Sequence, residues 1–324
     1  MRRRDFLKLS AAALAGSAIT TCASAQAAAW PSRPVKLIIP YAPGGASDII
    51  GRPWAEVLSQ SFGQQFIVEN RGGATGMIGT EAVAKATPDG YTLLLTPSAT
   101  MSILPLLRQT PYDPQKSFVP VARVGDTING FVIHPATGLS TMKDTVDYAK
   151  KNPGKLIFVS AGLGGIQHLR IEMLKYRAGI DILHVPYRGA ADALNDLLAG
   201  QIQMMNEINV LPHVKAGKLN LLAISSPDRS PEFPDTPTLT EVGYPNSDLP
   251  SWYAVWAPTG TPADIVDKLH TRIVDIMQTE AMKLKLRQIS SAPRVQTKAE
   301  MSQFLIDDLK INTELIKAAN VKLE

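Results

Sequence analysis

Short apolar runs, glycine- or proline-broken turns and helix-length segments alternate along most of this 324-residue chain, and that alternation constrains its fold most. Residues 35–40, 66–69 and 91–96 read as strands without polar alternation, the pattern of parallel strands covered on both faces. Pro43-Gly44-Gly45 follows the first strand and a Gly-rich loop at 71–76 follows the second. Each turn leads into a helical pattern, at 46–62 and up to about residue 86. The same grammar predicts strands at 131–134, 156–160, 183–185, 202–205 and 221–225. It predicts helices at 142–152, 165–178, 190–199 and 211–216, with Gly200 placed to end the third. A Pro-, Asp- and Ser-rich loop at 226–250 precedes a strand at 252–257.

The C-terminal part is helical. Thr261-Pro262-Ala263-Asp264 is a helix start, and Thr297 with Glu300 forms a capping box. Met301, Phe304, Leu305, Leu309, Ile311, Leu315 and Ile316 are expected on one core face, interrupted by Asp308 and Asn312. At roughly 150 residues per domain the length suggests two domains. The expected fold class is α/β: two lobes, each a mostly parallel sheet flanked by helices. The chain would cross between lobes near 125–130 and return near 225–252, the last helices packing back on the first lobe.

The first 29 residues read as a cleaved export signal. Arg2, Arg3, Arg4 and Lys8 precede a small-residue apolar run to about Ile19, too short for the roughly 20 residues that span a bilayer. Arg3-Arg4-Asp5-Phe6-Leu7-Lys8 resembles the twin-arginine motif R-R-x-F-L-K, an ordinary secretory signal being the alternative. Cleavage would follow Ala25, Ala27 or Ala29, leaving a soluble periplasmic protein. A lipid anchor on Cys22 fits poorly, because Ile19-Thr20-Thr21 lacks the small residue needed before it. Cys22 is the sole cysteine, so disulfide scaffolds, cysteine–zinc sites and thiol nucleophiles are excluded downstream. The formal charge of +4 drops to 29 bases against 28 acids without the leader, which removes the argument for nucleic acid.

Four turns occupy equivalent places after strands: 41–48, 70–76, 96–100 and 160–165. Ligands of open α/β sheets settle beyond the carboxyl ends of strands, where helix N-termini present free N–H groups and partial positive charge. Such turns hold a carboxylate without Lys or Arg, each charge-assisted bond contributing about 1.5–3 kcal/mol. No nucleotide fingerprint is present: G-x-G-x-x-G fails from Gly162 because Gln167 fills its sixth position. Ser140-Thr141-Met142-Lys143 matches S-x-x-K without its companion motifs and reads as a helix cap. His168 and Glu172 share a helix face but lack a third metal ligand, and His134, His184, His213 and His270 are scattered. The expectation is binding rather than catalysis, with no metal.

Ordered along the chain, further motifs identify a family. They are Tyr41-Ala42-Pro43-Gly44-Gly45 with Asp48; Glu69-Asn70-Arg71-Gly72-Gly73-Ala74-Thr75-Gly76 with Gly79; and Pro88-Asp89-Gly90-Tyr91-Thr92. Gly164 with Gln167-His168-Leu169, His184-Val185-Pro186-Tyr187-Arg188-Gly189 and Asp196-Leu197-Leu198-Ala199-Gly200 follow. Pro212-His213, Lys215-Ala216-Gly217-Lys218, Ser251-Trp252-Tyr253 and Ala257-Pro258-Thr259-Gly260-Thr261-Pro262 complete the set. From Trp30 onward the chain resembles the periplasmic solute receptors of tripartite tricarboxylate transporters, the Bug-type family.

That resemblance implies a Venus-flytrap fold of type II-like form, with no cofactor and no catalysis. Residues 1–29 would be the signal, 30–127 with 251–324 the first lobe and 128–250 the second. A small carboxylate would sit between the lobes and pass to inner-membrane transporter subunits, the receptor acting as a monomer. A sensing partner of a membrane receptor would share this fold and ligand chemistry; a secreted hydrolase would need a nucleophile–base pair. The expected contacts are Tyr41, Ala42, Gly44, Gly45, Ala74, Thr75 and Ser98 from the first lobe. Ser160, Ala161, Gly162 and Gly165 would come from the second, with His168 and Asn206 as polar selectors.

Several positions depart from the family pattern. Met101 and Leu104 stand where His and Asn are common, Leu163 and Ile166 make the second-lobe loop apolar, and Asn206 replaces a common acid. Pro53 interrupts the helix after Asp48 and is expected to disturb its early turns. The cleft is thus expected to be too poor in acid for an α-amino acid, favouring an aromatic or partly apolar carboxylate.

Overall fold

The structure, a computed structural model, describes residues 30–226, 228–245, 247 and 251–322; the export-signal segment 1–29 lies outside them. In chain order the strands are β1 (Val35–Ile39), β2 (Phe66–Asn70), β3 (Thr92–Pro97), β4 (Phe118–Thr127) and β5 (Asn129–Ile133). They continue as β6 (Ile157–Ser160), β7 (Leu183–Pro186), β8 (Met204–Glu207), β9 (Asn220–Ser225), β10 (Ser251–Pro258) and β11 (Ser291–Ala292). One sheet has the order β11-β4-β10-β3-β1-β2 and the other β7-β6-β8-β5-β9.

Helices connect the parallel strands. α1 (Ala46–Phe62) and α2 (Met77–Ala84) follow β1 and β2, and a π turn at Ala99–Ile103 leads from β3 into α3 (Leu104–Leu107). In the second lobe α4 (Met142–Lys151), α5 (Ile166–Ala178), α6 (Ala190–Leu198) and α7 (Leu211–Lys215) follow β5 to β8. α8 (Ala263–Gln278), α9 (Glu280–Gln288) and α10 (Lys298–Ala318) close the chain.

Both sheets are mixed, which corrects the expectation of mostly parallel sheets. β1 is parallel to β2 and β3, and β6 to β7 and β8. β10 is antiparallel to β3 and β4, β11 to β4, and β5 to β8 and β9. The cause is the crossing between sheets. β4 runs with β1–β3 and passes through Ile128 into β5 with no helix between, so β5 enters the second sheet against its βαβ direction. The returning β10, with β11, is the reversed element of the first. β10 returns beside β4, Ser251 pairing with Thr127. β4 goes unpredicted because Pro120 and Gly125 break its apolar run. The sheet absorbs them through register shifts against β10.

α1 runs unbroken through Pro53 and ends on left-handed Gly63 (φ 64°), whose N–H bonds Ser59 O at 3.0 Å. Its face Ile50, Trp54 and Leu58 is fully buried, and Trp54 Nε1 donates to Val124 O at 3.1 Å, fixing α1 on β4. The second-lobe core packs Phe131, Phe158, Ile171, Leu174 and Met204 on one sheet face. Val132, Val159, Leu197 and Met205 pack on the other. On α10, Met301 and Leu305 join the first-lobe core, whereas Ile311 is 52% exposed. Asn312 and Asp308 take the inward positions instead, Asp308 accepting from Trp252 Nε1 at 2.9 Å and Ser102 Oγ at 2.5 Å.

Candidate functional site

Three helices from both lobes point their N-termini into one cleft. α1, α5 and α6 begin after Gly45, Gly165 and Gly189, all in extended conformation and none providing a side-chain cap. The first N–H groups of a helix have no partner inside it, so these three ends offer donors and partial positive charge to the space between them. That space is a cavity of about 40 Å³ whose walls include Gly45, Ala46, Ser47, Gly165, Ile166, Gln167, Gly189 and Ala190. It exceeds the ~10–15 Å³ that one water requires. Tyr41, Ala42, Thr75, Pro97, Ala99, Ala161, Glu207 and Tyr253 complete the lining.

Small residues let the lobes meet. A Cβ on Gly44 would lie 3.6 Å from the Ala191 Cβ, and one on Gly189 would lie 3.4 Å from the Ala42 Cβ. Thr75 Oγ1 donates to Leu163 O across the cleft at 2.6 Å. Outside this contact a wider mouth of about 870 Å³ is lined by Ala74, Gly162, Leu163, Arg108 and Arg188, sharing Tyr41, Ala42, Thr75 and Ala161 with the inner cavity.

The first-lobe turn is braced from behind. Asp48 Oδ2 accepts from Gly44 N at 3.0 Å and Arg52 Nε at 2.8 Å, while Asn70 Nδ2 donates to Asp48 Oδ1 and to Tyr41 O. Burial alone would push the Asp48 carboxyl up, but Arg52, the Gly44 N–H and Asn70 together hold it below the ordinary value. In the second lobe Ser160 Oγ lies 2.7 Å from His184 Nε2 and also bonds the Gly162 backbone. His168 stacks on His184 with ring centroids 4.4 Å apart, and its Nδ1 accepts from Gly164 N.

Of the contacts expected from sequence, Tyr41, Ala42, Gly45, Thr75, Ala161 and Gly165 line the inner cavity. Ala74 and Gly162 line only the mouth. Five of the expected residues are placed otherwise. The Gly44 N–H is taken by Asp48. Ser98 is buried in a separate pocket with Asp308 and Asn312. Ser160 and His168 shape the loop from beneath instead of lining the cavity. Asn206 is fully buried, accepting from Arg170 Nη1 at 2.7 Å and donating to Ser225 Oγ at 2.9 Å. Of the apolar departures, Ile166 lines the cavity and Leu163 the mouth, while Met101 and Leu104 are fully buried in the first lobe.

An acid is present after all: Glu207, at the end of β8, faces the cavity beside Gln167 and is 1% exposed. Burial raises its carboxyl above the usual range, opposed by the Gln167 amide, the Arg170 charge and the Ile208 N–H. The cleft is therefore not poor in acid, because the adjacent position carries the carboxyl. Gly189 and Glu207 both sit at strand ends, the position that singled out the other turns, and that signal would have found them. The Tyr41 and Tyr253 hydroxyls are driven up chiefly by burial. Among the described residues no cluster of three His, Cys, Asp or Glu is arranged to hold a metal. Glu172 pairs with Lys175 rather than with His168.

Residues 50–321 match the model of the tripartite tricarboxylate transporter family receptor. Protein BugT of Bordetella pertussis is 36% identical over 299 residues, covering 91% of this chain and 92% of BugT. The R. palustris protein Rpa4515, solved with adipate, superposes with a TM-score of 0.88 at 31% identity, over 90% of this chain and 99% of that one. MatC from Rhodopseudomonas palustris with bound malate gives a TM-score of 0.83 at 26% identity, over 89% and 100% of the two chains. By family match, by identity across nearly its whole described length and by fold, the chain belongs to the tripartite tricarboxylate transporter receptors of Bug type.

Proposed function

We propose that this protein is an extracytoplasmic solute receptor that captures a small carboxylate between its lobes and delivers it to a tripartite tricarboxylate transporter permease. The observation that carries the reading is the convergence of three glycine-started helix N-termini on one inter-lobe cavity. Fixed N–H donors and helix dipoles stabilise an anion there without a side-chain cation. The adipate and malate carried by two related receptors fit that chemistry. The contacts are Ala42, Gly45, Thr75, Ala161 and Gly165, joined by Ser47, Gln167 and Ala190.

The ligand has a partly apolar body, since Ala46, Pro97, Ala99, Ile166 and Ala190 form much of the wall. An aromatic body has less support, because Met101 and Leu104 do not reach the cavity. The lobes divide as 30–127 with 251–324, and 128–250, hinged at Ile128 and at the return into Ser251. Residues 1–29 direct export to the periplasm by the twin-arginine route, and the receptor works there as a monomer. No helix among the described residues is long and apolar enough to cross a membrane.

Calorimetry against citrate, malate, adipate, glutamate, benzoate and terephthalate tests the reading. At least one should bind with micromolar Kd, about 8 kcal/mol, while its neutral amide does not. Equal binding of acid and amide, or hydrolysis of an ester panel, would contradict it.

A further inference from the structure

We propose that Glu207 sets the specificity of this cleft, selecting a ligand that carries an amine as well as a carboxylate. The inference rests on the carboxylate reading above and goes beyond it in naming a second group on the ligand. Glu207 is 1% exposed and lines the inner cavity. Its Oε2 accepts from Gln167 Nε2 and the Ile208 N–H also acts on the carboxyl, whereas its Oε1 is buried with no hydrogen bond of good geometry. Buried polar atoms are nearly always satisfied, so an orphaned carboxyl oxygen facing a cavity calls for a donor from whatever fills it.

The required charge follows from what surrounds that oxygen. The cavity lining includes no Lys, Arg or His. The cation that acts on its carboxyl, Arg170, is itself fully buried and donates to Asn206 Oδ1. Burial holds the Glu207 carboxyl above the usual range, as expected for an acid short of direct cationic partners. A simple carboxylate entering here would bring a second negative charge towards that acid or require it to stay protonated. An aminocarboxylate resolves both demands, its carboxylate on the helix N-termini and its ammonium on Glu207 Oε1. Any proton carried by Glu207 then leaves to solvent as the pair forms.

Matched compounds differing only in the amine test this: aspartate and succinate, valine and 3-methylbutanoate, phenylalanine and 3-phenylpropionate. Calorimetry on the full mature chain should show at least one amino member binding about 100-fold tighter than its partner. Glu207→Gln keeps the shape and the contact with Gln167, and should shrink that preference about tenfold or more, with an unchanged circular-dichroism spectrum. Equal or tighter binding of the amine-free partners to wild-type protein would overturn the proposal while leaving the carboxylate reading intact, whatever the variant does. Persistence of the full preference in a folded Glu207→Gln would also overturn it. If no compound of either kind binds, this proposal falls, and the carboxylate reading falls with it only if citrate, malate, adipate, glutamate, benzoate and terephthalate also fail to bind.

Discussion

Thr75 is held where a β-branched residue rarely sits, at φ 55° and ψ 39°, directly after Ala74 at φ 48°. Its carbonyl accepts from the Tyr41 hydroxyl at 3.0 Å, and its own hydroxyl reaches Leu163 O in the opposite lobe. Backbone strain of this kind persists where surrounding contacts over-determine it, and here those contacts include one across the cleft. Thr75→Val keeps the shape and removes only the hydroxyl. Ligand affinity should fall about 5–10-fold, the worth of one hydrogen bond, with little change in unfolding midpoint. Calorimetry with any bound carboxylate checks this; unchanged affinity would mean the bond does not stabilise the closed form. Residue types at turns made Thr75 and Gly165 legible in the sequence. The direction of a side chain was not, so Asn206 and Glu207 could not be told apart by pattern, although alternation along β8 sends them to opposite faces.

Helix starts divide by task. Thr141, Thr279 and Thr297 cap α4, α9 and α10 with their hydroxyls, and the Thr297–Glu300 box appears as its sequence predicts. α1, α5 and α6 carry glycine instead, leaving their ends open to the cleft. Gly45→Asp tests that division, because Gly45 has φ −85° and its Cβ would meet Ala190 Cβ at an ordinary 3.7 Å. The new carboxylate should cap α1, raising stability by about 1 kcal/mol, and weaken carboxylate binding at least about tenfold by occupying the donors. Stabilisation with undiminished binding would show that α1 does not hold the anion. Beneath α5, burial and then the neighbouring His168 lower the His184 pKa to about 3. An unfolded histidine protonates near 6.5, so the unfolded chain binds more protons between those values. Stability is therefore lost as pH falls from about 6.5 towards 3, by at most about 1.4 kcal/mol per pH unit from this group. Urea unfolding at pH 7 and pH 5 should show a larger loss for wild type than for His184→Gln; equal losses would contradict the buried neutral imidazole. Periodicity located these elements well. On α10 it holds for Met301, Phe304, Leu305, Leu309, Leu315 and Ile316 and fails at Ile311. Asp308 and Asn312, which interrupt the stripe, turn inward onto partners that no local pattern reveals, Ser102 and Trp252.

Across the whole molecule the two lobes are joined by more than the cleft. Ile103 of the first lobe, Ile166, Leu169 and Met173 of α5, and Val321 beyond α10 form one apolar cluster. The C-terminal segment thus packs on both lobes, beyond the first-lobe packing that its sequence position suggested. Separation of the lobes would expose part of this cluster, so it favours the closed arrangement. Val321→Ser should shift unliganded protein towards an open form, with a larger radius of gyration in small-angle scattering and affinity a few-fold to about tenfold weaker. An unchanged radius and affinity would show that the seam does not bias closure. The central claim, that backbone N–H groups of facing helices hold a carboxylate between two lobes, is tested most directly by the crystal structure of the protein as purified, with no ligand added. Density for a small acid should fill the cavity, its carboxylate oxygens within about 3 Å of N–H groups at the starts of α1, α5 or α6. A cavity holding only water, or a ligand gripped by arginines at the mouth while the helix ends stay free, would contradict the account.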